Sequence, residues 1–112
     1  MRIAFATNGK SLKAKIWFHF GWAKNYLIYD TKTKRIEIHK NPEILGEKEL
    51  PPDFLNRLKV DVVITYALGP RAFDKFKKFG IKLYKAIDKN IEENIKEYQK
   101  RNLKKLTKKD IF

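Results

Sequence analysis

The chain has 112 residues and no cysteine, and its 26 lysine and arginine residues against 13 aspartate and glutamate residues give a formal net charge of +13. One domain is expected at this length, and without cysteine the chain alone can form neither disulfides nor cysteine-ligated zinc or iron–sulfur sites. The apolar run at residues 3–6 is too short for a signal peptide, and no later run reaches membrane-spanning length. We therefore expect a cytoplasmic protein with no membrane partner.

The excess of positive charge is the most unusual feature of the composition. It predicts a polyanionic partner, either nucleic acid or a smaller anionic ligand. Abundant lysine, isoleucine and glutamate with a single methionine is also typical of thermophile proteins, whose charged side chains form surface networks. This second interpretation explains paired charges on helices better than it explains the net excess, so both stay open.

The first half of the chain predicts three strands and one long basic loop. Residues 2–6 form a short apolar run before the turn-forming triplet Thr7-Asn8-Gly9, which is typical of a buried strand. Residues 10–24 have no clear period and predict a loop around His19. Residues 25–30 and the alternating residues 35–40 are expected to pair as a hairpin. Four aromatic residues of the loop are expected to anchor it onto the core, with an exposed dock for a partner as the alternative; they are Trp17, Phe18, Phe20 and Trp22.

The second half of the chain alternates helices and strands. Pro51-Pro52-Asp53 is typical of a helix start, and the apolar residues 60–66 predict a strand buried on both faces. A second helix begins near Pro70 or Arg71 and ends before Gly80. Residues 81–86 predict the last strand, and Asn90 is expected to cap a third helix. Residues 101–112 form a basic C-terminal tail that either frays or is tethered by its apolar residues, which are Leu103, Leu106, Ile111 and Phe112.

The order of these elements is β, loop, β, β, α, β, α, β, α. Successive helix–strand units at the end of the chain favour parallel strands joined by right-handed connections, whereas the early hairpin places one strand antiparallel. The sequence therefore predicts an α/β protein with three layers built on a mixed five-stranded sheet.

Several segments, taken in order and spacing, resemble one known family. His19-Phe20-Gly21, followed by Ala23 and Tyr26, is similar to a His-Phe-Gly-Arg-Ala-x-Tyr-Phe signature. Later segments match as well, namely Asn41-Pro42, residues 60–64, Gly69-Pro70-x-Ala72-Phe73 and residues 80–84. The chain thus resembles the dinitrogenase iron–molybdenum cofactor biosynthesis family (nitrogenase accessory factor-like) up to about Tyr98. It departs from the family at Trp22, where arginine is usual, and at residues 50–53, which replace a glycine-rich stretch.

The resemblance implies a fold, a role and a ligand. The fold would be a ribonuclease H-like motif with strand order 3-2-1-4-5, in a single domain over residues 1–100. The role would be non-catalytic binding or delivery of iron–molybdenum cofactor, or of a related iron–sulfur cluster precursor, with cluster donor or acceptor proteins as partners. The signature histidine is the favoured cluster ligand in the family, which implies that His19 is the metal ligand here.

The implied strand order also predicts where a ligand would bind. Strands one and four are neighbours with connections that leave in opposite directions, and ligands of open α/β sheets bind at such a point. The loop at residues 7–22 and the turn at residues 67–71 should therefore border one crevice. A helix N-terminus favours an anion there, lysines of the loop, namely Lys10, Lys13 and Lys15, add positive charge, and an imidazole nitrogen can ligate iron. The candidate cofactor-binding residues are Asn8, Lys10, His19, Phe20, Gly21, Gly69, Pro70 and Arg71.

No sequence pattern points to catalysis. A P-loop, a dinucleotide glycine fingerprint and a Ser–His–acid arrangement do not appear, and the first strand carries no carboxylate for two-metal chemistry. We therefore expect a protein that is not an enzyme. Two alternatives to a cluster carrier stay open: a basic nucleic-acid-binding module, which is less favoured, and a partner-binding domain that has lost the metal site. His39, on the outward face of the third strand, is expected to be an ordinary surface residue.

Overall fold

Five strands and three α-helices make up the computed structural model, which describes residues 1–112. The elements are β1 (Arg2–Thr7), β2 (Asn25–Asp30), β3 (Ile36–Lys40), α1 (Pro51–Arg57), β4 (Val62–Thr65), α2 (Pro70–Lys78), β5 (Lys82–Lys85) and α3 (Ile91–Gln99), with short 3-10 helices at Phe20–Trp22 and Lys108–Asp110. The helices have seven to nine residues, and none is long and apolar enough to span a membrane.

The sheet has the strand order β3-β2-β1-β4-β5. In the centre, Ile3 of β1 pairs with Tyr29 of the antiparallel β2 and with Val62 of the parallel β4. β3 is antiparallel to β2, and β5 is parallel to β4, so β2 alone runs against the others. These pairings confirm the predicted mixed sheet, its 3-2-1-4-5 order and its one antiparallel strand.

Alternating side chains of the central strands divide the core into two layers. Ala4 and Ala6 of β1 face a cluster that includes buried residues of α1 and α2, whereas Ile3 and Phe5 face a cluster that includes buried residues of α3. β4 is buried along its whole length, as expected for a strand covered on both faces. The helices therefore lie on both sides of the sheet, which confirms the predicted three-layer α/β sandwich.

The ends of the elements follow local hydrogen bonding more than hydrophobicity. β4 begins later than its apolar run because the amide of Val60 donates to the backbone carbonyl oxygen of Leu55, near the end of α1, at 3.1 Å. Gly80 has a φ of +76° after α2, a left-handed conformation that favours glycine at this position. The side chain of Asn90 accepts a hydrogen bond from the amide of Glu93, so the predicted cap of α3 is present.

Residues 101–112 pack against the sheet instead of fraying. Leu103 and Leu106 are buried, and each joins the core on a different face of the sheet. The amide of Leu106 donates to the carbonyl oxygen of Leu83 in β5 at 3.1 Å, and the amide of Lys85 donates to Lys104 at 2.7 Å. Of the two alternatives for this basic tail, tethering by its apolar residues is the one found.

Candidate functional site

A cavity of about 620 Å³ opens at the carboxyl ends of β1 and β4. Its position follows from the reversal of winding between these two strands. The loop after β1 and the turn after β4 are neighbours, because His19 forms an isolated parallel bridge with Ala67. The loop, the start of α2, the start of α1 and the last residue of the chain form the walls; the lining residues are His19, Phe20, Gly21, Trp22, Glu43, Leu50, Pro51, Pro52, Leu68, Gly69, Pro70, Arg71, Ala72, Lys75 and Phe112.

Phe20 anchors the loop that carries His19. Its side chain is only 2% exposed, and its ring packs against Tyr26 and Phe76 with centroid distances of 5.1 and 5.6 Å. The hydroxyl of Tyr26 donates to the carbonyl oxygen of Phe20 at 2.7 Å. Burial raises the pKa of Tyr26, which keeps this hydroxyl protonated as a donor. The aromatic contact and the hydrogen bond together fix the loop onto β2.

Asn41 holds the same loop from the other side. Its side chain is fully buried, and its amide nitrogen donates to the carbonyl oxygens of Gly21 and Ala23, both at 2.9 Å. Its side-chain oxygen accepts from the amide of Glu43 at 3.0 Å. One carboxamide therefore fixes the backbone on both sides of Trp22, shortly after His19.

The imidazole of His19 is exposed and has no hydrogen-bond partner within the chain. Its neighbours are aromatic rings. The centroid of Phe18 lies 5.1 Å away in an edge-on arrangement, that of Phe112 lies at 5.5 Å and that of Trp22 at 6.3 Å. Both ring nitrogens thus remain available to a ligand, while the ring itself contacts apolar surfaces.

The N-terminus of α2 provides the positive end of the cavity. Gly69 is the N-cap residue without a side-chain cap, and the amide of Phe73 makes the first bond of the helix, to the Gly69 carbonyl oxygen at 3.0 Å. The amides of Arg71 and Ala72 precede that bond and point out of the helix end, where they favour an anion. Arg71 takes part in none of the ion pairs of the chain.

The other charges of the cavity wall are partly compensated. Lys75 pairs with Asp53 at 2.6 Å, so it adds little net charge to the cavity. Glu43 is an exposed carboxylate on the rim. The chain contains no group of three or more histidine, cysteine, aspartate or glutamate side chains that could hold a metal ion. The cavity therefore offers one imidazole and a helix N-terminus, and it does not offer a complete set of ligands for a bare ion.

Six of the eight residues predicted for the site line this cavity, and Asn8 and Lys10 do not. The side-chain oxygen of Asn8 accepts from the amide of Lys24 at 3.0 Å, which is a structural role within the loop. Lys10 is exposed and lies outside the lining. The structure therefore does not place Asn8 or Lys10 in the lining of this cavity, and their role in cofactor binding stays a prediction.

The loop after β1 crosses to α3 before it returns to the cavity, which explains where its lysines lie. The carbonyl oxygens of Leu12 and Ala14 accept from the first amides of α3, and Lys13 pairs with Glu92 at 2.7 Å. Lys15, also predicted to charge the crevice, bridges to the start of the same helix. A side chain at Gly9 would clash, since its Cβ would lie 2.5 Å from Ala14 Cβ. The tight crossing therefore carries Lys13 and Lys15 to the side of the sheet where α3 lies.

Only one of the four loop aromatics anchors the loop. Phe20 is buried, whereas Trp17, Phe18 and Trp22 are 41%, 53% and 82% exposed. The expectation that all four pack onto the core is wrong, because the 3-10 turn at Phe20–Trp22 directs a single aromatic residue inward. An exposed aromatic surface, which was the alternative, borders the cavity.

Three residues that shape the site, Asn41, Tyr26 and Phe112, were not among the predicted ones. Asn41 and Tyr26 belong to the segments that resemble the family, but the spacing of residues does not predict their hydrogen bonds to the loop. Phe112 carries no motif. His39, expected at the surface, is only partly exposed: it bonds to Glu37 at 2.9 Å and packs edge-on against Phe54 at 5.7 Å, away from the cavity.

Comparison with known proteins gives the following similarities. The family model described as dinitrogenase iron–molybdenum cofactor matches residues 1–101. An uncharacterized protein of Methanocaldococcus jannaschii is 28% identical over 114 residues, covering 94% of this chain and 91% of that protein. The apo form of the orange protein of Desulfovibrio gigas is similar in fold, with a TM-score of 0.84 at 20% identity and coverage of 95% and 92%. A Thermotoga protein provisionally described as a NifB protein has a TM-score of 0.79 at 25% identity, with coverage of 95% and 93%.

Proposed function

Because the chain belongs to the dinitrogenase iron–molybdenum cofactor family, we propose that it binds and carries a metal–sulfur cluster without catalysing a reaction. The cargo is iron–molybdenum cofactor or a related iron–sulfur cluster precursor. The partners are the proteins that donate the cluster and accept it. The binding site is the cavity between the loop after β1 and the start of α2, with His19 as the metal ligand.

One observation carries this proposal. An imidazole without a hydrogen-bond partner shares a cavity with the open N-terminus of a helix. Neutral imidazole is a good ligand for iron, and a helix N-terminus stabilises negative charge. The two groups together suit a ligand that is both metallic and anionic, as metal–sulfur clusters are.

The incomplete ligand set of the cavity supports a carrier more than a resident cofactor. One histidine cannot hold a bare ion, but a preassembled cluster brings its own sulfides, and an organic acid or a partner protein can complete its coordination. The volume of about 620 Å³ lies within the range of about 300–1,000 Å³ that is usual for ligand pockets. Weak ligation by the carrier keeps release to an acceptor favourable.

The proposed roles of the remaining residues follow from their positions. The backbone at Phe20 and Gly21 carries His19, and Gly69 and Pro70 begin the helix whose free amides face the ligand. Arg71 supplies an uncompensated positive charge beside those amides. Trp22, which stands where the family usually has arginine, provides an apolar rim in place of a second cation.

The experiment that tests the proposal is anaerobic loading followed by metal analysis. Wild-type protein, His19→Ala and His39→Ala would be incubated with iron and sulfide, or with a purified cofactor precursor, and then desalted. Bound metal and the visible absorption spectrum would be read for each. His39→Ala is the matched control, because it removes the only other histidine and lies outside the cavity.

The expected result is a stoichiometric cluster on wild-type protein and on His39→Ala, and a weakened or absent one on His19→Ala. Equal retention by all three proteins would show that His19 is not a ligand. Absence of a retained cluster from wild-type protein would contradict the carrier role and favour a partner-binding domain that has lost the metal site.

Nucleic-acid binding is the second candidate, and the distribution of charge favours it. Only seven of the 26 lysine and arginine residues lie within ion-pair distance of a carboxylate. Binding of labelled RNA and DNA, measured by fluorescence anisotropy over a series of salt concentrations, tests this function. A phosphate-contacting surface would lose affinity steeply as the salt concentration rises, whereas a cluster carrier would show only weak binding of this kind.

A further inference from the structure

Residues 102–112, here called the strap, lie beyond the part of the chain that the family model matches. The strap first runs beside β5, where Lys105 forms an antiparallel bridge with Tyr84. Two backbone hydrogen bonds to β5 flank that bridge, and the side chains of Leu103 and Leu106 are buried in the core. The strap is therefore a packed addition to the sheet.

The far end of the strap is bound to the turn that begins α2. Asp110 accepts a hydrogen bond from the amide of Thr107, the N-cap of the 3-10 turn of the strap, and pairs with Lys85 of β5 at 3.0 Å. The amide of Leu68 donates to the carbonyl oxygen of Asp110, and the amide of Phe112 donates to the carbonyl oxygen of Leu68, both at 3.2 Å. Leu68 immediately precedes Gly69, the N-cap of α2. These bonds bring Phe112 to the positive wall of the cavity.

The ring of Phe112 then covers one side of His19. Its centroid lies 5.5 Å from that of His19 with an interplanar angle of 34°, and 6.2 Å from that of Phe18. Phe112 also lines the cavity, whereas Phe18 does not. Since no hydrogen bond fixes the imidazole, the orientation of its ring depends on these aromatic contacts.

We propose that Phe112 is a positioning residue that orients the imidazole of His19 toward the cavity and limits the access of solutes to it. The strap thereby slows the loss of a bound cluster. The statement about orientation and access concerns the unloaded protein and stands independently; the statement about the cluster rests on the proposed function.

Carbethoxylation by diethyl pyrocarbonate tests the effect of Phe112 on the orientation and access of His19 without any cluster. Mass spectrometry of digested protein follows the rate at which each histidine is modified, and the chain contains only two. In Phe112→Ala we expect His19 to react about two- to tenfold faster, the range given by the loss of one aromatic contact. His39 is the internal control, and its rate should not change because it lies outside the cavity and packs against Phe54, not against Phe112.

Two further variants separate positioning from general destabilisation. Phe112→Tyr keeps the aromatic ring and should react like wild-type protein. Ile44→Ala removes an apolar side chain of similar exposure, 59% against 60%, that does not line the cavity, and it should also behave like wild-type protein. Circular dichroism checks that every variant is folded, which is expected because Phe112 is largely exposed.

Iron release to a chelator from cluster-loaded protein tests whether the strap slows the loss of a bound cluster. Phe112→Ala should release iron faster than wild-type protein by a similar factor. An unchanged modification rate of His19 in Phe112→Ala would overturn the positioning role, whether or not a cluster binds. A raised modification rate together with no cluster on wild-type protein would leave the positioning role intact and overturn the carrier proposal. A raised modification rate with unchanged iron release would overturn the effect on the cluster.

Discussion

Replacement of Asn41 by alanine removes the side-chain hydrogen bonds between the His19 loop and the end of β3. In the folded protein the carboxamide of Asn41 is fully buried and makes three hydrogen bonds, two to the carbonyl oxygens of Gly21 and Ala23 and one from the amide of Glu43. Asn41→Ala leaves the two carbonyl oxygens without this donor. The loop that carries His19 should then be held by the packing of Phe20 and by the backbone hydrogen bonds that remain, such as that from the amide of residue 41 to the carbonyl oxygen of Lys24.

The size of the effect follows from the burial of those two oxygens. A buried acceptor that loses its partner costs about 1–3 kcal/mol. The Gly21 oxygen is only partly buried and lies beside the cavity, where water can replace the lost donor in part. We therefore expect Asn41→Ala to lower the free energy of unfolding by about 2–4 kcal/mol. With an unfolding entropy of about 2.1 cal/mol/K per residue over 112 residues, the melting temperature should fall by about 8–17 °C.

Guanidinium unfolding at 25 °C, followed by far-UV circular dichroism, measures this change. The matched control is Asn102→Ala, because Asn102 is exposed and makes only a 3.4 Å contact with Glu97; its free energy of unfolding should stay within about 0.5 kcal/mol of the wild-type value. A loss below about 1 kcal/mol for Asn41→Ala, at an unchanged slope of unfolding, would refute the reasoning. Water would then satisfy both carbonyl oxygens as well as Asn41 does.

Three other perturbations have defined outcomes. Phe20→Ala should lower the free energy of unfolding by about 3–5 kcal/mol in the same assay, and a loss below about 1 kcal/mol would show that Phe20 is not the anchor of the loop. Hydrogen bonds from Arg2, and then from His39, lower the pKa of Glu37 from its usual 4.5 to about 2. The Glu37 carboxylate therefore contributes its full stabilisation above pH 4.5, and about 1 kcal/mol of the free energy of unfolding, discounted for exposure, should be lost as the pH falls toward 2. Glu37→Gln should abolish this pH dependence, and a pH profile of stability identical to that of wild-type protein would contradict the prediction. Asn90→Ala removes the cap of α3 and should cost about 1 kcal/mol, whereas no change in urea midpoint would show that the cap is dispensable.

The sheet and the helices were predictable because local hydrophobic patterns agree with the tertiary structure. The apolar run around Val63 is buried on both faces, and Gly80 takes the left-handed conformation expected after a helix. β3 departs from its predicted alternation, because Ile36 is exposed whereas Glu37 and His39 are partly buried, as Ile38 is. Strand order came from the family resemblance, since pairing between distant segments leaves no periodic signal. The start of β4 was not predictable in this way. Val60 belongs to the apolar run, but its amide bonds to the end of α1, so the strand begins later.

The candidate site was predictable where it depends on topology and not where it depends on the path of a loop. His19 and Gly69 line one cavity because β1 and β4 are neighbours, which the strand order requires. The positions of Lys10 and Lys13 outside the cavity lining could not be predicted, because the loop is held against α3 by hydrogen bonds that the amides of Ile91 and Glu92 donate to its backbone, and such bonds have no signature in residue types. The path of the strap could not be predicted for a similar reason: its apolar side chains favoured tethering as one of two alternatives, but they follow no regular period that would place the strap beside β5.

The central claim is that His19 ligates a metal–sulfur cluster in the cavity, and pulsed electron paramagnetic resonance on cluster-loaded protein tests it most directly. Wild-type protein, His19→Ala and His39→Ala would be loaded anaerobically and reduced or oxidised to a paramagnetic state of the cluster, with uniform nitrogen-15 labelling to identify nitrogen couplings. Ligation by His19 predicts an imidazole nitrogen coupling in wild-type protein and in His39→Ala that is absent from His19→Ala. The same coupling in all three proteins, or none in wild-type protein that holds a cluster, would contradict it.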